Sequence, residues 1–191
     1  MVASSGSAEP EALSEVLARA KRGEDEAFGE LYYRFSRRVF GLSFHLLGSR
    51  EDAEDATSEV FLKVRWALSR YDPSIPFGAW AMSITANHCL DRLRRRRRER
   101  RLFALEPGDG DLPAAGLSPL AEMMAEEQRF AVARALGALP ERYRVPLALR
   151  YHAEMSYAEI ADRLGVTRDQ VAIALFRGKE RLRRALTGES R

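Results

Sequence analysis

Apolar residues recur at three- and four-residue steps along most of the chain and no comparable stretch alternates with period two, so the pattern predicts helices throughout. Leu31, Tyr32, Phe35, Val39, Leu42 and Leu46 form one stripe of an amphipathic helix that begins near Phe28 and ends at Gly48. Ser49 stands three residues before Asp52, a capping pair that opens a second helix through Val60, Phe61, Val64 and Leu68 to Arg70. Asp72, Pro73, Ser74, Ile75 and Pro76 break it, and a third long helix runs from about Gly78 into "RLRRRRRERR". A short helix over 11–22, stopped by Gly23, precedes all three.

After Phe103 the periodicity stops. "ALEPGDGDLPAAGLSP" collects glycine, proline and acids, as a linker does. The expected organisation is a disordered stretch over 1–10, a first domain over 11–104, a flexible acidic linker over 105–117 and a second domain over 118–187. Ser118 and Pro119 cap a helix through Met123, Phe130 and Leu136, and another follows Pro140 with Pro146 inside it. The fold class is all-α, two small helical domains.

Charge changes this picture locally. The 191 residues carry only +3, yet the ten from Arg92 to Arg101 hold eight arginines and one acid, leaving −4 on the remainder. A basic cluster on an acidic body is the footprint of a nucleic-acid or anionic-surface binder; a solvated helix end is the alternative. No apolar run approaches the roughly 18 residues needed to cross a bilayer, and the N-terminus lacks the order of a signal peptide, so a cytoplasmic protein without membrane insertion is expected. Cys89 is the single cysteine, and His45, His88 and His152 are far apart in sequence, so neither a disulfide nor a metal site is expected. No nucleophile with a base, paired carboxylates or phosphate-cradling glycine loop is apparent; neither an enzyme nor a cofactor is expected.

Tyr157–Phe176, "YAEIADRLGVTRDQVAIALF", fits a helix-turn-helix. Ile160, Leu164, Val166 and Val171 supply apolar contacts, Ala161 is small at the crossing, Gly165 allows the left-handed turn and Thr167 caps the second helix. Ser156 caps the first, with Glu159 completing a capping box. In a DNA reader, Arg168, Asp169 and Gln170 reach base edges, while the backbone near Ser156 and Tyr157 and the basic flank with Arg177 and Lys179 meet phosphate. A helical hairpin without DNA has the same packing.

"SREDAEDATSEVFLKVRWAL", "FGAWAMSITANHCLDRLRRRRR" and "LPERYRVPLALRYHAEMSYAEIADRLGVTRDQVAIALFRGKERLRRAL", in this order, resemble the bacterial sigma factors of the extracytoplasmic-function (ECF) group of the sigma-70 family, over about residues 25–187. The resemblance implies a first domain that binds the beta-prime clamp helices of core RNA polymerase and opens the −10 promoter element. It implies a second that reads the −35 element beside the beta flap, and an anti-sigma factor as antagonist. Carried across by position, Asp52, Glu54, Asp55 and Glu59 with Phe61 meet the clamp, although acids early in a helix also simply complement its dipole. Tyr71, Phe77 and Trp80 offer rings to an unpaired base, with a core role as the alternative for Phe77 and Trp80; Asn87 is the better base contact. Arg92, Arg94, Arg95, Arg96 and Arg97 then lie on duplex phosphates. Linker residues Glu106, Asp109 and Asp111 either thread the polymerase channel or belong to a plain spacer.

One departure stands out. The family commonly carries a threonine, then a lysine, serine and arginine around the central valine of the recognition helix, where this chain has Gln170, Ala172, Ile173 and Ala174. That loss of charge leaves the −35 preference open, with Ile173 available to a thymine methyl or a protein partner. Two rival readings follow: a stand-alone helix-turn-helix regulator, and a sigma-shaped protein that acts by sequestering partners.

Overall fold

The structure, a computed structural model, describes residues 8–103 and 132–187, with side-chain surroundings over 13–99 and 132–187. Among these residues there is no strand. The first unit comprises α1 (Ala8–Lys21), α2 (Asp25–Leu47), α3 (Arg50–Ala67), a 3-10 turn over Leu68–Arg70 and α4 (Phe77–Phe103). The second holds helical residues 132–137, α5 (Glu141–Tyr151), α6 (Tyr157–Leu164) and α7 (Arg168–Thr187). The expected linker, with Glu106, Asp109 and Asp111, and the expected cap at Ser118 lie outside the described residues.

α2 is the centre of the first unit and packs on α1, α3 and α4. Leu31, Val39, Leu42 and Leu46 bury completely, in one core with Val60 and Val64 of α3 and Met82 and Ala86 of α4. Each such aliphatic side chain contributes about 1.5–3 kcal/mol of burial. Tyr32 departs from the expected stripe: its ring rests on Phe61 at 4.6 Å while the residue stays 44% exposed. The caps fall where the sequence places them. Gly48 takes the left-handed φ of 76° that ends α2, and the Ser49 hydroxyl accepts the Asp52 N–H at 3.3 Å to begin α3.

In the second unit α7 packs on α5 and α6. Gly178 permits this approach, since a Cβ there would meet Leu147 Cδ1 at 2.9 Å. Ser156 and Glu159 form the expected capping box, and Gly165 adopts φ 67°. Ile160, Ala161, Val171 and Leu175 bury, whereas Val166 remains 40% exposed at the turn. α5 also packs on α2, which closes the second unit onto the first. At that seam the buried Arg144 lies over Gly48 and donates to the Gly137 carbonyl at 3.3 Å. Its cation sits at the end of α2 where the helix carbonyls are negative.

Candidate nucleic-acid interface

The arginine run does not present a single face. Arg92, with only 15% of its side chain exposed, turns to α3, donates to Asp52 at 3.3 Å and lies 3.9 Å from Asp55 and 3.7 Å from Glu59. Arg96, one turn on, also pairs with Asp52. Both guanidiniums are therefore engaged inside the first unit. Asp52 is likewise drawn inward, with 19% of its side chain exposed. Arg94, Arg95, Arg97 and Arg98 are exposed, Arg94 and Arg97 on the side that meets the second unit.

On α3, Phe61 is core. It is 4% exposed, edge-on to Phe28 at 6.3 Å and against Tyr32, so it has no face to give a partner. On the same helix, Leu62 is 53% and Trp66 77% exposed, large apolar side chains that the sequence pattern does not single out. With Glu51, Asp55 and Ser58 they follow the three- and four-residue steps of one outward stripe, acidic at its start and apolar at its end. Glu54 is exposed and paired with Arg50 at 2.8 Å. Glu59 lies 3.2 Å from His88 Nε2; burial and then the nearby Lys63 ammonium keep His88 below its ordinary pKa in spite of that carboxylate.

The segment before α4 is pinned at three points: Lys21 donates to the Tyr71 carbonyl at 2.8 Å, the Tyr71 hydroxyl to the Ile75 carbonyl at 2.6 Å, and the Ser74 N–H to the Asp72 carboxylate at 2.9 Å. Tyr71 and Phe77 are buried, with ring centroids 5.6 Å apart, and Trp80 covers both at 4.9 and 5.6 Å. A base cannot stack on Tyr71 or Phe77 in this arrangement, because their faces are spent on one another, on Trp80 and on Phe35. Trp80 is half-buried and keeps an outer edge, on the same face of α4 as Ser83 and Asn87. Asn87 is exposed, but its Oδ1 accepts a hydrogen bond from Arg163 of α6, whose other nitrogen donates to the Ser83 hydroxyl at 2.7 Å. Arg94 donates to the Arg163 carbonyl and Arg97 to Glu141 at 2.9 Å, so this side of α4 is held against the second unit.

At the start of α7 the Thr167 hydroxyl accepts the Gln170 N–H at 3.2 Å and the Gln170 side-chain oxygen accepts the Thr167 N–H at 2.8 Å. Gln170, expected at a base edge, is a capping-box partner here. Gln170→Ala is accordingly expected to destabilise the second unit by about 1 kcal/mol in a denaturant titration, an effect that a freely exposed side chain would not have. Ser156 is similarly tied to Glu159, whose carboxyl is held low chiefly by the Ser156 hydroxyl and N–H. Arg168, Asp169, Ile173, Arg177 and Lys179 are exposed, as is Phe176 at 73%; Tyr157 is half-buried under Arg150. A cleft of about 700 Å³ separates α7 from α4, with Gln170, Ile173 and Arg177 on one wall and Leu93, Arg94 and Arg97 on the other. The two expected DNA-reading surfaces thus face each other.

Among the described residues no group of His, Cys, Asp or Glu is arranged to hold a metal ion. Burial pushes the Cys89 thiol up to about 11, which leaves it inert at neutral pH.

Residues 31–99 match the family model for Sigma-70 region 2, and residues 129–182 that for Sigma-70 region 4. The ECF RNA polymerase sigma factor SigM of Mycobacterium tuberculosis is 32% identical over 176 residues, covering 91% of this chain and 84% of that protein. SigW of Bacillus subtilis, also an ECF RNA polymerase sigma factor, is 26% identical over 176 residues, 89% of this chain and 94% of that protein. The chain belongs to the ECF sigma factor family. Among solved structures, the sigma factor RpoE of Bartonella quintana, in complex with the anti-sigma factor NepR, matches this sigma factor with a TM-score of 0.63 at 18% identity, over 85% of this chain and 98% of that one. CnrH in complex with the cytosolic domain of CnrY matches at 0.54 and 23%, over 92% and 97%. Both likenesses concern the fold. The region 2 match in the first unit decides against a stand-alone helix-turn-helix regulator, and the family is one of transcription initiation factors. Among the described residues no helix is long and apolar enough to cross a membrane.

Proposed function

We propose that this sigma factor, acting in the cytoplasm without catalysis of its own, binds core RNA polymerase through the outward stripe of α3. It reads the −10 element from the face of α4 that carries Trp80, Ser83 and Asn87, and the −35 element from α7. Units over 11–104 and 118–187, joined by 105–117, are the working division of the chain. The observation that carries this reading is the placement of a neutral amide, Asn87, on the face of α4 whose next turns bear Arg94 and Arg97, with the exposed Arg95 and Arg98 beside them; in the closed arrangement this face meets the second unit. An uncharged donor and acceptor reads a base edge, and the arginines beyond it hold adjoining phosphates without regard to sequence.

RpoE, of the same fold, is in complex with the anti-sigma factor NepR, and a similar antagonist is proposed for this chain. The test is reconstitution. The purified protein mixed with core polymerase gives transcripts whose mapped starts share −10 and −35 sequences. Asn87→Ala lowers discrimination at one −10 position by about 1–3 kcal/mol and leaves the other positions unchanged. Starts no different from those of core polymerase alone would reject the proposal.

A further inference from the structure

Two histidines meet at the seam between the units. His45, in the last turn of α2, and His152, just beyond α5, stack with ring centroids 4.2 Å apart and 28° between their planes. The Nδ1 of His45 is buried and has no hydrogen-bond partner. Arg144 of α5 closes the same corner over Gly48, three residues past His45. On the outer side, Arg38 of α2 lies 3.7 Å from Glu154, which sits at a φ of 56° in the turn after His152. Two imidazoles and a buried guanidinium thus share one corner, and the acid at its edge is already matched by an arginine. Beside a fixed cation, stacked rings disfavour added positive charge, most of all the charging of both.

We propose that this histidine stack makes closure of the two units acid-labile, so that protonation separates them and releases Ser83, Asn87, Arg94 and Arg97 of α4 from Arg163 and Glu141. The consequence for promoter binding rests on the function proposed above; the closure itself does not.

The direction follows from the groups around each ring. Burial first, then the charges of His152 and Arg144, press the His45 pKa from 6.5 down to about 3 in the closed form. The negative end of α2 favours a cation at this position but is outweighed. His152 is exposed as a residue, and its pKa is lowered only by the part of its ring that packs at the seam, so the pH response rests on His45. A group whose closed-form pKa lies below its free value supports closure fully above that free value and withdraws support as pH falls below it. For His45 the window therefore opens near 6.5 and runs downward. Between pH 7.5 and 5.5 the closed-to-open ratio drops roughly tenfold on its account alone.

Small-angle scattering of the full chain at pH 7.5 and 5.5, at fixed ionic strength, reads this directly. Arg163→Ala, which removes the ties to Ser83 and Asn87, serves as the background that brings the open form into the measurable range. In that background the chain expands on acidification with unchanged helix content, and the added His45→Gln abolishes the response. His88, which lies within the first unit beside Glu59, Lys63 and Arg92, is separated by this control. Dimensions that do not respond to pH, or that respond equally with Gln at position 45, would overturn the proposal. Should the Gln variant not fold, histidine ring NMR of the unaltered chain decides. A His45 that titrates well below 6.5 supports the latch, and one that titrates at 6.5 removes it. Neither measurement contains DNA or polymerase, so failure here and failure of the promoter-reading role are distinguishable.

Discussion

Alanine at Arg94, Arg95, Arg97 and Arg98 together is expected to flatten the slope of log promoter affinity against log salt by about three to four units, at roughly 0.9 for each phosphate that is no longer neutralised. All four are exposed, whereas Arg92 and Arg96 are bound to Asp52. Arg92→Ala should therefore leave the slope unchanged and instead destabilise the first unit by about 1–3 kcal/mol, because Asp52, Asp55 and Glu59 lose a shared, largely buried partner. Slope is a better readout than affinity. Arg94 and Arg97 also help to hold the units together, so removing them eases opening and raises affinity while the weaker grip on phosphate lowers it. Holoenzyme affinity for one promoter at several salt concentrations, with denaturant unfolding of each variant, separates the two sets. Equal slopes for the quadruple variant and the parent would mean the exposed arginines are solvent-facing only.

That partition is hidden in the sequence for a definite reason. Periodicity identifies which residues share a helix face but not what lies opposite, and Asp52 is 40 residues from Arg92 along the chain. The helices, the Ser49 and Ser156 caps and the Gly48 and Gly165 turns are legible, because each depends on residues within a few positions. The Thr167–Gln170 capping box is legible on the same grounds, since Thr followed three residues later by Gln is a capping pattern. Phe61 has two uses in the sequence reading, in the apolar stripe of α3 and on its outward face. A helix advances about 100° per residue, so one side chain cannot serve both, and Phe61 serves the core. The closure of the units is illegible altogether, since it joins Asn87 to Arg163 and His45 to His152 across segments with no local pattern in common.

The consequence for polymerase binding is the larger of the two effects. Leu62 and Trp66 are large apolar side chains left in solvent at the end of the acidic stripe, and neither belongs to the buried core of the first unit. An exposed tryptophan one turn from an exposed leucine, on a stripe whose earlier turns carry Glu51 and Asp55, has the composition of an interface: an aromatic anchor on a helix whose acidic first half orients a basic partner. Leu62→Ala with Trp66→Ala is expected to weaken association with core polymerase on the order of a hundredfold, from about 2 kcal/mol or more at the tryptophan and a smaller part at the leucine. The same double variant should change unfolding free energy by only about 0.5 kcal/mol per site, since both residues are already hydrated in the free protein. Phe61→Ala is the converse case. It removes a ring packed on Phe28 and Tyr32 and should cost about 3–5 kcal/mol of stability. Its polymerase affinity, measured on the fraction that remains folded, should be close to the parent's. Equilibrium binding of a labelled chain to core polymerase, paired with denaturant unfolding, distinguishes the outcomes. Undiminished binding by the double variant would place the polymerase face elsewhere on the first unit, and a large loss of stability in it would show that Trp66 is packed after all.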